Sequence, residues 1–259
     1  LAECLWAVTC SETARADLAA LAPAPGTDGT PKVRLVYHGI DLSRFPPPPA
    51  RTPRDGADPA DPVILLTVGR AVAKKGHDVL IDALAELPAR LHWRWIHIGG
   101  GALAPKLKRQ AAARDIADRI EWRGSQSQES VIAAYREADL FALANRVAAN
   151  GDRDGLPNVL VEAQSQALAC VASDSAAAPE LIVDGVNGRL VAPDDAAALS
   201  AALSALISNP ATRLAYGEAG RKIVEDRFDH RRGIERLAAM FAADGLLDTP
   251  APEAKAVAG

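Results

Sequence analysis

The stretch Asp154-Gly155-Leu156-Pro157-Asn158-Val159-Leu160-Val161-Glu162-Ala163 reads as a tight turn that feeds a helix. Gly155 allows the bend, Pro157 suits the first helical turn, and an apolar run follows. A helix over 157–168 leaves Asp154 in the loop ahead of it and Glu162 about two turns inside, with free backbone N–H groups between them. Such a pair suits a sugar nucleotide. One carboxylate accepts the vicinal hydroxyls of a ribose, the other accepts those of a second sugar, and a diphosphate lies between. The same spacing also arises in ordinary helices as an N-cap and a solvated Glu, so the flanking chain has to decide.

Upstream, Val63-Ile64-Leu65-Leu66-Thr67-Val68 is a run without polar alternation, as in a strand buried on both faces. Further strands are expected at 92–98, 120–122, 140–144, 170–173 and 189–191, and helices at 77–87, from the glycines after 98 to about 115, and at 130–137. Alternating strand and helix with apolar strands predicts an α/β fold, a Rossmann-like doubly wound parallel sheet with helices on both faces. Ligands of such sheets bind at the carboxyl ends of the strands. Before this unit stand a strand at 5–9, a helix to about 21, a turn-rich connection at 23–31 and a strand at 33–37. The segment dense in Pro, Asp and Arg up to residue 62 has the composition of a linker. After it come helices at 194–209, 210–226 and 230–243, then a Pro- and Ala-rich end expected to be disordered.

With 259 residues, 49% of them apolar, the chain can build a large core. A net charge of −4 with both signs interspersed excludes a nucleic-acid surface and leaves any anion site local. Cys4, Cys10 and Cys170 form no C-x-x-C and read as reduced core thiols of a cytoplasmic protein. The apolar start contains Glu3 and has no basic lead-in, so no signal peptide is expected, and no run approaches a membrane span. The chain opens in mid-strand without Met and is expected to be a piece of a longer protein.

Gly69-Arg70, followed by Lys74-Lys75-Gly76 at a helix start, sets a forked cation and a point charge at the end of the first buried strand. That is a candidate phosphate site, with solvated loop cations as the plain alternative. Gly99-Gly100-Gly101-Ala102-Leu103-Ala104 satisfies G-x-G-x-x-A after a strand, and Glu121 follows twenty positions on, the dinucleotide fingerprint. Pro105 and the complete strand-helix unit ahead of the motif favour a close-approach loop instead. Asp152-Arg153-Asp154 is a D-x-D without a further carboxylate cluster, so we expect no metal. Pro179-Glu180 reads as a helix cap, and His38, His77, His92, His97 and His230 are scattered without a nucleophile partner.

In order along 33–228 the chain carries Val36-Tyr37-His38-Gly39-Ile40-Asp41, Val68-Gly69-Arg70 with Lys74-Lys75-Gly76, Ile98-Gly99-Gly100-Gly101 and Ala138-Asp139-Leu140-Phe141. Asp154-Gly155-Leu156-Pro157-Asn158 through Glu162-Ala163, Pro179-Glu180-Leu181-Ile182 and Asp184-Gly185-Val186-Asn187-Gly188 complete the series. Together they resemble the retaining family 4 (group 1) glycosyltransferases of GT-B architecture, two Rossmann-like domains facing across a cleft.

The resemblance implies that Arg70 and Lys75 hold the donor diphosphate and stabilise the charge growing on it, that Glu162 takes the ribose hydroxyls, and that Asp154 faces the donor sugar. It further implies that Gly100 and the backbone of Gly155, Leu156, Pro157 and Asn158 line the same region. Asp154 stands where the family usually has Glu, and Ala167 and Ala169 replace its usual Gly and Pro. By the same resemblance 1–45 is the end of an acceptor-binding domain, 46–62 a linker, 63–228 the nucleotide-sugar-binding domain, 229–247 a C-terminal helix and 248–259 a tail. The implied activity is hexose transfer from a UDP-, GDP- or ADP-sugar to a saccharide or lipid-linked acceptor in bacterial polysaccharide assembly. No cofactor is implied, and any membrane association is peripheral, through the missing N-terminal domain. The piece alone is expected to bind nucleoside diphosphate weakly and turn over nothing. The rival readings are a non-catalytic nucleotide-sugar-binding module and an NAD-dependent oxidoreductase resting on Gly99, Gly101 and Glu121.

Overall fold

The computed structural model describes residues 4–21 and 32–246. The connection at 23–31 and the tail at 248–259 lie outside the described residues.

The main sheet has six parallel strands: β3 (Val63–Val68), β4 (Trp93–Ile98), β5 (Ile120–Gly124), β6 (Leu140–Leu143), β7 (Ala169–Ser173) and β8 (Gly188–Val191). Their spatial order is β5-β4-β3-β6-β7-β8. The β-branched run is buried on both sides, Val63, Leu65 and Leu66 being fully covered, which explains its lack of alternation. From β3 the chain winds outward through β4 and β5, then returns to start β6 on the other side of β3. The reversal makes β3/β6 the switch point, where the loops after the two strands part to opposite faces.

Helices α2 (His77–Ala85), α3 (Ala104–Ala113) and α6 (Ala196–Ile207) pack one face of the sheet. Helices α4 (Gln128–Glu137), α5 (Asn158–Ser165) and α7 (Pro210–Arg227) pack the other. The doubly wound α/β fold read from the sequence is therefore present, with helices on both faces.

Helix α5 is shorter at both ends than expected. Pro157 is its N-cap, at φ −78 and ψ 97, rather than its first residue. Its far end closes in a Schellman motif: Leu168 N–H reaches the Ala163 carbonyl at 3.1 Å and Ala167 N–H the Gln164 carbonyl at 2.9 Å. The motif needs a left-handed residue, and Ala167 supplies it at φ +52. That is the position where the sequence carries Ala in place of the family's Gly.

The amino-terminal part forms β1 (Ala7–Thr9), α1 (Glu12–Leu21) and β2 (Val33–Leu35), two parallel strands with one connecting helix. Both strands are shorter than expected, and they have no third partner strand among the described residues. Helix α8 (His230–Ala243) packs against this unit. The rings of Trp6 and Phe241 lie 4.9 Å apart, and a Cβ on Gly233 would stand 2.5 Å from the Tyr37 carbonyl oxygen. Cys170 is a core thiol, whereas Cys4 and Cys10 are only half-buried, which corrects the reading of all three as core residues.

The segment 46–62 has no regular structure, yet it is anchored. Arg51 donates to the carbonyls of Tyr135 at 3.2 Å and Gln166 at 2.6 Å, and also to that of Ala138. Arg54 reaches both carboxylate oxygens of buried Asp139 at 3.2 Å. Burial pulls the Arg51 guanidinium down to about 10, against the attraction of Asp139.

Candidate active site

At the switch point the loop after β3 is laced to its neighbour. Gly69 N–H donates to the Ile98 carbonyl at 2.9 Å and Ala71 N–H to that of Gly100 at 2.8 Å, while Leu103 N–H returns to the Ala71 carbonyl at 3.0 Å. A Cβ on Gly99 would lie 2.0 Å from the Gly69 oxygen, and one on Gly101 2.6 Å from the Ala71 oxygen. The glycines at φ 143 and 147 thus admit the neighbouring loop of the chain itself. Glu121 is held by Arg123 at 2.8 Å. The dinucleotide fingerprint is accordingly a packing device, and the close-approach reading is the correct one. A Cβ on Gly100 would instead stand 3.2 Å from Ser125 Oγ, a side chain of the loop after β5.

Helix α2 starts where glycine alone fits. Gly76 is left-handed at φ 60, and a Cβ there would fall 1.8 Å from the Ala144 oxygen at the end of β6. The turn Ala73–Lys75 just ahead is clamped by Arg146 of the loop after β6. Arg146 N–H donates to the Lys74 carbonyl at 2.9 Å, its Nε to the Ala73 carbonyl at 3.0 Å, and its guanidinium binds Asp78 at 2.8 Å. The clamp presents Lys74 and Lys75 to the opposite loop. Lys75 Nζ meets Asp154 at 2.7 Å, and Lys74 Nζ meets Asp152 at 2.9 Å and Asp154 at 3.6 Å.

Both acids of the D-x-D are therefore engaged by ammonium groups. No cluster of three or more His, Cys, Asp or Glu that could hold a metal stands among the described residues. Arg70 differs from the lysines, because its exposed guanidinium has no hydrogen bond or ion pair among the described residues.

Leu156 is buried, 7% exposed, and anchors the turn ahead of α5 in the core. Gly155 is exposed, with open space where a Cβ would be. Asn158 Oδ1 contacts His38 Nε2 of the amino-terminal part. Glu162 lies one turn further, mostly buried on the α4 side, where Tyr135 Oη donates to it at 2.9 Å. Burial pushes its carboxyl above the usual range, opposed by that hydrogen bond. The structure thus joins Lys75 directly to Asp154 and places Arg70 in the same loop as Lys75. Glu162 contacts none of the three.

Over this end of the sheet sits the amino-terminal unit. Glu180 accepts from the backbone of Glu12 at 2.9 Å and from Tyr37 Oη at 2.8 Å, so it caps α1 across 168 positions of sequence. Arg153 pairs with Asp17 of the same helix. The Pro-Glu pair signalled a cap, but no local pattern tells which helix receives it. The buried pair His77 and His97 was equally invisible, being two isolated histidines in the sequence.

Residues 51–223 match the family model described as Glycosyl transferases group 1. The GDP-mannose-dependent alpha-(1-6)-phosphatidylinositol monomannoside mannosyltransferase of Mycolicibacterium smegmatis is 33% identical over 209 residues, 79% of this chain and 54% of that protein. The amylovoran biosynthesis glycosyltransferase AmsK of Erwinia amylovora is 35% identical over 178 residues, 68% of this chain and 44% of that protein. The chain spans about half the length of these curated relatives. Among solved structures, Anabaena Alr3699/HepE in complex with UDP and glucose aligns with a TM-score of 0.76 at 19% identity, over 92% of this chain and 63% of that one. At that identity the likeness concerns the fold.

Proposed function

Given that the chain belongs to the group 1 glycosyl transferases, we propose that it is the donor-binding part of an enzyme that moves a hexose from a nucleoside-diphosphate sugar to a saccharide or lipid-linked acceptor, with retention and without a metal ion. In this reading 63–228 bind the donor and 1–45 end the acceptor-binding domain. The observation that carries the reading is the meeting of Lys75 with Asp154 at 2.7 Å across the switch point, with Arg70 exposed in the same loop as Lys75 and unpaired among the described residues.

Breaking the bond between the sugar and the diphosphate builds negative charge on the leaving phosphate. A guanidinium fork and an ammonium fixed beside it lower that barrier without reorganising. Asp154 accepts hydrogen bonds from sugar hydroxyls, and Glu162 from the ribose diol. The N–H groups around Gly155 to Asn158, at the start of α5, face the same charge. Relatives named for phosphatidylinositol monomannoside mannosyl transfer and for amylovoran biosynthesis support a role in bacterial polysaccharide or glycolipid assembly, which in this reading takes place in the cytoplasm. No helix of the described residues is long and apolar enough to cross a membrane.

Calorimetric titration of UDP, GDP, ADP and NAD against the chain tests this. One diphosphate binds, NAD does not bind more tightly than ADP, and Arg70→Ala weakens the diphosphate about tenfold or more. Undiminished binding by Arg70→Ala refutes the assignment. The isolated chain transfers no sugar, and a measurable rate would overturn that part.

A further inference from the structure

Beneath the loop that carries Arg70 lie two imidazoles. His77 opens α2 and His97 stands on β4, 2% and 0% exposed. His77 Nε2 is 3.2 Å from the Arg70 carbonyl oxygen and 3.2 Å from His97 Nε2. The indoles of Trp95 and Trp122 flank His97, with ring centroids 5.8 and 5.1 Å away. Neither Nδ1 has a partner.

Burial, aided by the neighbouring imidazole and Lys75 and opposed by Asp78, takes His77 down to about 3. Burial takes His97 down to about 4 against a hydrogen bond with the Gly69 backbone, so both rings are neutral at pH 7. A carbonyl only accepts, so the bond to Arg70 requires the His77 proton on Nε2. The bare Nδ1 is then an unmet acceptor rather than an unmet donor.

Two buried imidazoles cost more than aliphatic side chains filling the same space, so their retention calls for something that Leu does not provide. What His77 reaches is one peptide plane, with His97 behind it. The Arg70 carbonyl accepts from His77 and also from Val72 N–H at 2.9 Å, while the other end of that plane, Ala71 N–H, is bound to Gly100 at 2.8 Å. The plane is held at both ends, and the side chain it aims is the one cation of the loop left unpartnered. We propose that His77, backed by His97, is a positioning residue that presets Arg70 for a diphosphate group. The proposal rests on the reading that Arg70 grips the donor diphosphate.

The test uses the full chain and titrates UDP and GDP against the parent, His77→Leu, His77→Gln, Arg70→Ala and the double variant H77L/R70A. His77→Leu weakens binding about fivefold, the worth of one hydrogen bond, and His77→Gln, whose amide can reach the same carbonyl, restores most of it. H77L/R70A binds no more weakly than Arg70→Ala alone, because His77 acts only through Arg70. Parent-like binding by His77→Leu, or additive losses in the double variant, overturns the proposal. If Arg70→Ala itself binds like the parent, the diphosphate reading has failed, and the proposal is then judged by a crystal structure of His77→Leu. An unmoved Arg70 carbonyl there refutes it, and a displaced one supports it. Should His77→Leu not fold, His97→Phe replaces it in both measurements with the same expected outcomes.

Discussion

Asp154→Asn separates two roles that the ion pair with Lys75 combines. At 2.7 Å and an effective dielectric constant near 20, the attraction between the two charges is about 6 kcal/mol before desolvation is subtracted. Both side chains are mostly covered, Lys75 13% and Asp154 10% exposed, so desolvation removes most of that and leaves on the order of 1.5 kcal/mol net. A diphosphate that recruits Lys75 has to overcome this pairing. Removing the Asp154 charge frees the ammonium, and bare UDP or GDP should bind about tenfold more tightly to Asp154→Asn than to the parent. The same substitution leaves one neutral oxygen in place of two charged ones to accept from the sugar hydroxyls, so the advantage of a nucleoside-diphosphate hexose over the bare diphosphate should shrink. Calorimetry at fixed ionic strength on both ligands gives the two numbers, since salt screens the comparison otherwise. The reasoning is refuted if Asp154→Asn weakens bare diphosphate as much as the sugar nucleotide, because Asp154 would then hold Lys75 in place rather than compete for it.

Ala167→Gly should raise stability by about 0.5 kcal/mol, since relief at φ +52 exceeds the added freedom of the unfolded chain, and thermal melting would show a rise of about 1–2 °C. A fall in melting temperature would show that the left-handed alanine is not strained. Glu180→Ala should release the start of α1, and hydrogen exchange at Glu12 and Thr13 should quicken by about tenfold while the β3 amides stay protected. Equal protection in the variant would mean that the cap contributes nothing. His77 and His97 titrate near 3 and 4 in the folded chain against about 6.5 unfolded, so the unfolded state binds more protons between those values. Stability from this source is therefore complete above about pH 6.5 and falls by about 2 kcal/mol per histidine at pH 5, and denaturant unfolding of His77→Leu should lose part of that slope. An unchanged slope would mean that the imidazoles are not held neutral by the fold.

Much of the fold was readable because its signals are local. An unalternating strand such as 63–68 announces burial on both faces, and the order of strands and helices fixes the winding. The cations after β3 and the acids before α5 were legible for the same reason, as strand ends and helix starts carry recognisable residues. What stayed hidden depends on pairs distant in sequence. That Lys75 answers Asp154, that Glu180 serves helix α1, and that two lone histidines meet at 3.2 Å are consequences of topology. The glycine run after β4 misled in an instructive way: the conformations that would admit a pyrophosphate also admit another loop of the same protein. The ends of α5 moved because Pro157 caps rather than begins it and an alanine adopts the closing turn.

The threefold hold of Arg51 on the backbones of Tyr135, Ala138 and Gln166 bears on how the connecting segment is attached. By its bonds this segment belongs to the larger part rather than hanging from it as a tether. Ahead of it Ile40 is stitched to Phe228 at 2.8 Å and to His230 at 3.0 Å, and Gly39 lets the two crossing segments touch. The outgoing and returning passages are therefore sewn together where they cross, so the chain enters and leaves the larger part at one seam.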